Sequence, residues 1–190
     1  MSKPVRILLW VVGIVALLLL LFKFVLWPIM KTQTKKHSPE TETHITVGTT
    51  TVDVYYNSPS KKGRVIFGEL VPYDEVWRTG ANEPTRFVTS GDLTIGDQVL
   101  PAGEYTLWTR PGKEVWEVYF NSKMYEWGVT LTGGKAARDG QYDVVAVSVP
   151  SVKVDFETEQ FTIELSEIDG AIVMDFRWDK TAVPVSMRVN

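Results

Sequence analysis

The 190-residue sequence contains no cysteine and only two histidines, His37 and His44. Without cysteine the chain can form neither disulfides nor thiolate metal sites, and it has no thiol nucleophile. Both histidines lie in or beside a predicted polar tether, so a Ser-His-Asp triad or a histidine-ligated zinc site inside the folded part is not expected. The sequence also lacks a P-loop, a dinucleotide-binding glycine pattern and a nucleophile elbow. We therefore predict no metal site and no cofactor.

Basic residues are concentrated near the N-terminus. Six of the 20 Lys and Arg residues and none of the 23 Asp and Glu residues lie in the first 39 positions, so the rest of the chain carries a net charge of −9. A protein that binds nucleic acid needs a basic face to neutralise phosphates. Nucleic acid is therefore not an expected partner.

A long apolar run predicts a membrane anchor. Residues 7–27 are apolar except for Lys23, and about 20 such residues suffice for a helix to cross a bilayer. Trp10 and Trp27 would lie roughly 25 Å apart along that helix, a separation that suits two interfacial aromatic belts. A cleaved signal peptide is the alternative, but its apolar region is usually shorter, and no small-residue cleavage site follows here. We predict an uncleaved, single-pass helix whose partner is the lipid bilayer.

The predicted organisation has four parts: a short basic N-terminus at residues 1–6, a transmembrane anchor at 7–30, a polar tether at 31–43 and a folded domain at 44–190. The folded part consists of short alternating segments rich in Val, Ile, Thr and aromatic residues, separated by turn residues. This pattern predicts an all-β domain, an antiparallel β-sandwich or barrel of about 8–10 strands. A single short helix is predicted at residues 72–77.

Carboxylates do not mark a particular site. Asp92 and Asp97 flank a predicted hairpin turn and could supply oxygen ligands to calcium, but Asp is also an ordinary turn residue, and we favour that role. Acidic residues are numerous enough for a two-carboxylate hydrolase, yet no pair stands out.

Residues 58–83, SPSKKGRVIFGELVPYDEVWRTGANE, have the composition of a functional loop on a rigid β scaffold. One interpretation is structural: Trp77 is buried, Arg78 pairs with Glu83, and Asn82 caps a loop. The other is a shallow polar site for a sugar or a small anion. Its candidate residues are Arg64, Tyr73, Arg78, Asn82 and Glu83, with Trp77 or Trp108 as an apolar wall.

Three blocks, S-P-S-x-K-G-R, V-W-R-T-G-A-N-E and L-P-A-G-x-Y, together with the pair Trp127-Gly128, resemble the bacterial family called domain of unknown function 2911. The resemblance covers about residues 45–189. It implies no established activity. Because similar family members are mostly exported proteins with signal peptides, it implies an exported domain that faces the periplasm. Here a long anchor stands where those proteins have an ordinary cleaved signal.

Three functions remain open. We favour a non-catalytic binding or assembly domain, anchored in the bacterial inner membrane with its soluble part in the periplasm, as an accessory subunit of a cell-envelope complex. The first alternative is an envelope enzyme, a carboxylate-based glycan hydrolase that uses residues 77–83. The second is a module that binds a sugar or another small ligand. The sequence does not specify the ligand.

Overall fold

A computed structural model describes residues 2–130 and 134–190 of the chain. Met1 of the predicted N-terminus and residues 131–133 of the predicted domain lie outside the described residues. The chain forms two compact units, Met1–His37 and Ser38–Asn190.

The first unit is a helix of 35 residues that is long and apolar enough, by length and composition, to cross a membrane. It consists of α1 (Lys3–Leu21), one π-helical turn (Phe22–Leu26) and α2 (Trp27–His37). Pro28 has no backbone N–H and would interrupt a regular helical ladder. The wide turn just before it changes the hydrogen-bond register, because the Trp27 N–H bonds to the Phe22 carbonyl. The helix continues beyond the proline.

This helix extends into the predicted tether. The sequence predicts a polar connection at residues 31–43, whereas residues 31–37 belong to α2 and Glu40 begins the first strand. Lys and Gln have good helix propensity, and Lys35 and Lys36 lie in the last turn, where positive charges interact favourably with the helix dipole. The Thr32 hydroxyl also donates a hydrogen bond to the Pro28 carbonyl at 2.9 Å. A polar composition therefore does not end this helix.

The second unit consists of antiparallel strands in two sheets, and the predicted all-β class is confirmed. In residues 38–130 and 134–190 there are ten strands. A six-stranded sheet has the order β1-β2-β3-β6-β7-β8, and a four-stranded sheet has the order β5-β4-β10-β9. The strands are β1 (Glu40–Val47), β2 (Thr50–Asn57), β3 (Thr85–Thr89), β4 (Leu93–Ile95), β5 (Gln98–Leu100), β6 (Gly103–Arg110), β7 (Val115–Asn121), β8 (Asp143–Pro150), β9 (Val152–Ile168) and β10 (Ala171–Val189).

The two sheets enclose one hydrophobic core, as in a β-sandwich. On several strands alternate residues are buried in this core, such as Val52 and Val54 on β2 and Phe161 and Ile163 on β9. Phe87 and Phe120 meet edge to face, with ring centroids 5.0 Å apart. The period-two pattern in the sequence is thus the pattern of core-facing side chains.

The short helix predicted at residues 72–77 is not formed. These residues make a turn in which Asp74 has a left-handed φ of 61° and donates its N–H to the Pro111 carbonyl at 2.8 Å. Trp77 forms a β-bridge with Thr109 of β6. Hydrogen bonds to a neighbouring loop and strand replace those that a helical turn would have made within itself.

The face of the six-stranded sheet that points away from the core carries polar and aromatic residues. Trp108 of β6 and Tyr119 of β7 are buried, but they lie outside the central core cluster. Residues 122–130 and 134–142, which we call the covering segment, lie over this face. The Tyr125 ring meets Trp108 edge to face with centroids 5.3 Å apart, and the Arg138 guanidinium lies 3.6 Å from the Tyr119 ring centroid. This outer face is where the candidate site lies.

Candidate functional site

Trp77 and Arg78 point to opposite sides of the six-stranded sheet. The Trp77 N–H donates to the Thr109 carbonyl at 2.7 Å and the Thr109 N–H donates back at 3.0 Å, so the segment runs as a short extra strand beside β6. Successive side chains on a strand point in opposite directions. Trp77 enters the core, where its ring stacks on Trp178 at 6.0 Å and meets Phe161 edge to face at 5.0 Å. Arg78 is therefore directed away from this core, toward the covering segment.

The residues after Arg78 form a tight, conformationally demanding loop. Thr79 and Asn82 have left-handed φ values of 54° and 58°, and Gly80 has a φ of 150°. A Cβ at Gly80 would lie 2.9 Å from the Asn57 carbonyl oxygen, which explains why glycine stands there. The Trp77 indole N–H donates to the Gly80 carbonyl at 3.0 Å. The loop thus fixes the direction of Arg78 through backbone contacts.

The guanidinium of Arg78 has no hydrogen-bond or ion-pair partner among the residues that the structure describes. Its Nε is buried without a hydrogen bond, and neither Nη donates to any group in the described part of the chain. Burial lowers the pKa of Arg78 from its usual value, because removal from water disfavours the charged form. The predicted ion pair with Glu83 is not formed among the described residues. Instead, the Glu83 carboxylate accepts a hydrogen bond from Asn57 Nδ2 at 3.2 Å.

Arg78 lines a cavity of about 510 Å³, which we call the Arg78 cavity. The turn before Trp77 forms one part of its wall, and the covering segment forms another. The described lining residues are Leu70, Val71, Pro72, Glu75, Val76, Trp77, Arg78, Gly128, Val129, Gly134, Lys135, Ala136 and Arg138. The volume lies within the range of small-molecule sites.

The covering segment is held against the Arg78 loop by main-chain contacts. The Gly128 N–H donates to the Asn82 carbonyl at 3.0 Å, and the Ala137 N–H donates to the Gly128 carbonyl at 3.1 Å. Val129 and Ala136 form a β-bridge that closes the segment into a hairpin-like wall. Asn82 is buried and its side chain contacts Asn57, with Nδ2 3.5 Å from Oδ1. Asn82 therefore contributes its backbone and its buried amide to the wall rather than lining the cavity.

A second cavity, of about 500 Å³, lies on the same outer face and is lined by Glu83. Its other lining residues include Tyr55, Arg86, Tyr125 and the exposed Glu42. Arg78 and Glu83, which the hydrolase interpretation uses together, thus line different cavities.

The remaining predicted site residues lie elsewhere. Arg64 is exposed and donates to carbonyls of its own loop, from Nε to Lys61 at 2.9 Å and from Nη2 to Ser60 at 2.5 Å. Tyr73 lines a small cavity of about 50 Å³. Trp108 is fully buried, and its indole N–H donates to the Thr106 hydroxyl at 3.0 Å. Of the seven predicted residues, Trp77 and Arg78 are among those that line the Arg78 cavity, although the Trp77 ring itself packs in the core.

Arg138 is a lining residue that the sequence does not indicate. Its Nε lies 3.1 Å from Asp143 Oδ1, its Nη2 contacts Oδ2, and both side chains are 15% exposed. Its guanidinium also stacks on Tyr119, whose hydroxyl donates to Glu117. Burial, followed by this hydrogen bond, raises the pKa of Tyr119 to about 12. The motif in the sequence that lies nearest to Arg138 in the structure is the Trp127-Gly128 pair, because the Gly128 carbonyl accepts a hydrogen bond from the Ala137 N–H.

Asp92, one of the two possible calcium ligands in the sequence, makes a hydrogen bond within the protein. Its carboxylate accepts a hydrogen bond from the Ala102 N–H at 2.8 Å. Among the described residues there is no group of three or more His, Cys, Asp and Glu side chains arranged to hold a metal ion.

Comparison with known proteins supports the resemblance seen in the sequence. The family model described as "Protein of unknown function (DUF2911)" matches residues 38–187. Searches of curated proteins and of solved structures found no match. The match covers nearly all of the second structural unit and most of the chain, and we conclude that the chain belongs to the DUF2911 family.

Proposed function

We propose that this chain is a membrane-anchored, non-catalytic binding domain that holds a small anionic ligand in the Arg78 cavity. The domain faces the periplasm, and the N-terminal helix fixes it to the inner membrane. The ligand is a molecule small enough for a cavity of about 510 Å³, and it carries at least one negative group.

The observation that carries the proposal is the partly buried guanidinium of Arg78, whose Nε has no hydrogen-bond partner among the described residues. A buried charge without a partner is costly, and proteins normally neutralise such groups with carboxylates or hydrogen-bond acceptors. Here the side chain is held in place by the Trp77–Thr109 bridge and the loop that follows, yet its nitrogens have no acceptor in the described part of the chain. A carboxylate, sulfate or phosphate group would supply acceptors in the fork geometry that arginine favours.

The composition of the cavity supports binding rather than catalysis. Its described lining residues include four with ionisable side chains: Glu75, Arg78, Lys135 and Arg138. Serine, threonine, cysteine, histidine and aspartate are not among those residues. Nucleophilic catalysis needs a nucleophile beside a base, and acid–base catalysis needs a positioned proton donor or acceptor. The described lining offers instead a fixed cation at Arg78, apolar side chains from both walls, and a single carboxylate, Glu75, which is solvent-exposed.

The cellular placement rests on two observations. The helix Lys3–His37 is long and apolar enough to span a bilayer, and the DUF2911 resemblance implies an exported domain. An anchored binding domain keeps its ligand site close to the membrane surface without needing other contacts to the lipid.

A thermal unfolding experiment tests the proposal. The full-length protein is placed in nanodiscs of neutral phosphatidylcholine and heated with acetate, hexanoate, inorganic phosphate or hexylammonium. A ligand that binds only the native state raises the melting temperature as its concentration rises above its Kd. We expect at least one anion to stabilise the protein in this manner, and hexylammonium to have no such effect.

Two variants show whether the effect arises in the Arg78 cavity. Arg78→Met keeps the length of the side chain but removes the charge, and we expect it to abolish the stabilisation. Arg188→Met is the matched control, because Arg188 is exposed on β10 and is not among the residues that line this cavity. The proposal fails when no anion stabilises the wild-type protein, or when Arg78→Met responds as the wild type does.

A further inference from the structure

Apolar side chains line the Arg78 cavity from both the turn before Trp77 and the covering segment, beside the charged residues already named. Leu70, Pro72 and Val76 come from the turn before Trp77, and Val129 and Ala136 come from the covering segment. An inorganic anion would use Arg78 but would leave these side chains in contact with water. A ligand with an apolar body would bury them as well, and each buried CH₂ group contributes about 0.8 kcal/mol, which corresponds to about a fourfold change in Kd.

The charges around the cavity leave one positive charge to be neutralised. Arg138 is already paired with Asp143 through both ends of its guanidinium, so its charge is compensated by the protein. Lys135 and Glu75 are both solvent-exposed and carry opposite charges. Arg78 is therefore the partly buried cation without a counter-charge among the described lining residues. A single negative charge on the ligand would balance it.

We infer that the ligand is an amphipathic monocarboxylate, whose carboxylate binds Arg78 and whose hydrocarbon body lies between the two apolar walls. This inference rests on the proposed function and specifies its ligand class. A carboxylate matches the guanidinium fork with two parallel hydrogen bonds. A phosphate monoester carries nearly two negative charges at neutral pH, and one of them would remain uncompensated near Glu75. An amine would meet Arg78 as a like charge.

Calorimetry on the full-length protein in phosphatidylcholine nanodiscs tests the inference with four probes: acetate, hexanoate, hexyl phosphate and hexylammonium. Empty nanodiscs are titrated in parallel, so that partitioning into the lipid can be subtracted. Hexanoate has four more CH₂ groups than acetate. We expect it to bind at one site at least about tenfold more tightly, even when only part of its chain is buried. Hexyl phosphate should bind more weakly than hexanoate, and hexylammonium should not bind.

A second variant examines the apolar walls without touching Arg78. Ala136 is partly buried in the covering segment and lines the cavity, so Ala136→Leu fills space that the hydrocarbon chain would occupy. We expect it to weaken hexanoate binding several-fold more than acetate binding. Arg78→Met should weaken the binding of both acids by about 10- to 100-fold, since a hydrogen bond to a charged group is lost.

The outcomes separate the two proposals. Equal affinity for acetate and hexanoate, tighter binding of hexyl phosphate, or equal weakening of both acids by Ala136→Leu would overturn the ligand class and leave an anion site in place. Absence of binding by every anion, or unchanged binding in Arg78→Met, would overturn the anion site and the ligand class together.

Discussion

Gly128 lies directly against Arg78, at the point where the covering segment meets the loop after Trp77. A Cβ at position 128 would overlap Arg78 Cδ, and it would lie 2.8 Å from Arg78 Cβ and 2.9 Å from the Asn82 carbonyl oxygen. The same glycine donates its N–H to that carbonyl. Because residue 128 has no side chain, the covering segment can lie in direct contact with Arg78.

Gly128→Ala should disturb both the stability of the domain and the position of Arg78. The Asn82 carbonyl belongs to the backbone and cannot move aside cheaply, so we expect a loss of about 1–3 kcal/mol in unfolding free energy, as for other overpacked sites. Binding of anions should weaken because the Arg78 side chain must shift. Urea unfolding followed by tryptophan fluorescence measures the first effect, and calorimetry with hexanoate measures the second.

The matched control is Gly140→Ala. A Cβ at this position would have its nearest neighbour at 3.5 Å, which is an ordinary contact. We expect a change in stability of less than about 1 kcal/mol for this variant. A Gly128→Ala protein that is as stable as Gly140→Ala and binds anions like the wild type would show that the close contact has no consequence.

Arg78→Met should leave the stability of the protein unchanged or raise it. Two interpretations of the sequence predict opposite results here. Removing one partner of a buried ion pair costs about 3–5 kcal/mol, because the other charge is stranded. The structure has no such pair between Arg78 and Glu83 among the described residues. Replacing this partly buried guanidinium, whose Nε has no acceptor, by an apolar side chain instead removes a desolvation cost of up to about 1–3 kcal/mol.

Urea unfolding of the full-length protein in nanodiscs, without any added anion, measures this difference. We expect the midpoint of Arg78→Met to equal or exceed that of the wild type, with an unchanged slope. A decrease of more than about 2 kcal/mol would indicate a structural role for the arginine, as in a buried pair. Together with loss of anion binding, unchanged stability would indicate that Arg78 is retained for binding.

The fold was predictable because its signal is local. Period-two alternation on segments such as residues 161–165 reports directly which side chains face the core, and the structure buries Phe161 and Ile163 as this pattern requires. The end of the helix was less predictable. Residues 31–37 are polar but remain helical, because nothing in Thr-Gln-Thr-Lys-Lys breaks a helix that has already been nucleated.

The candidate site was predictable only in part, because its partners are distant in sequence. Glu83 follows Arg78 by five residues, but the left-handed turns at Thr79 and Asn82 direct its carboxylate toward Asn57 instead. The opposite wall contributes Arg138, 60 residues further along the chain. No sequence periodicity connects two loops that meet only through the tertiary fold. The residue types allowed a site for a sugar or a small anion beside a purely structural interpretation, whereas the cavity arises only from the tertiary fold.

Tyr119 should make the domain less stable at high pH. Its pKa is raised from 10.0 to about 12, first by burial and then by its hydrogen bond to Glu117. The unfolded chain therefore loses the phenolic proton at a lower pH than the folded chain. The stabilising contribution is fully present below about pH 10 and is lost as the pH rises through about 12. Urea midpoints measured between about pH 8 and pH 11.5 record this loss.

Tyr119→Phe isolates the effect of this one phenol. The variant keeps an aromatic ring beneath Arg138, which lies 3.6 Å from the ring centroid, but it has no proton to lose. Tyr55, Tyr56 and Tyr105 also have raised pKa values, and they contribute equally to both proteins. We therefore expect the wild type to lose stability more steeply than Tyr119→Phe above about pH 10. Parallel curves would mean that the Tyr119 pKa is not raised in the folded protein.

The orientation of the anchor can be measured with single cysteines, because the natural sequence contains none. Ser186 is exposed on β10, and Ser2 lies at the start of α1. In cells with a permeabilised outer membrane, a membrane-impermeant maleimide should label Ser186→Cys, whereas Ser2→Cys should react only after lysis. A single-pass helix has its two ends on opposite sides of the membrane. Because the DUF2911 domain is proposed to face the periplasm, Ser2 should then lie in the cytoplasm.

The same variants distinguish an anchor from a cleaved signal. If the helix Lys3–His37 is an uncleaved anchor, as proposed, labelled Ser2→Cys protein should keep its label after extraction from the membrane with mild detergent. Removal of the helix by a signal peptidase would separate the label from the domain and leave the domain soluble. Labelling of Ser2→Cys but not Ser186→Cys in unlysed cells would place the domain in the cytoplasm and overturn the proposed location. Because each variant carries one thiol, no background label from another residue complicates either result.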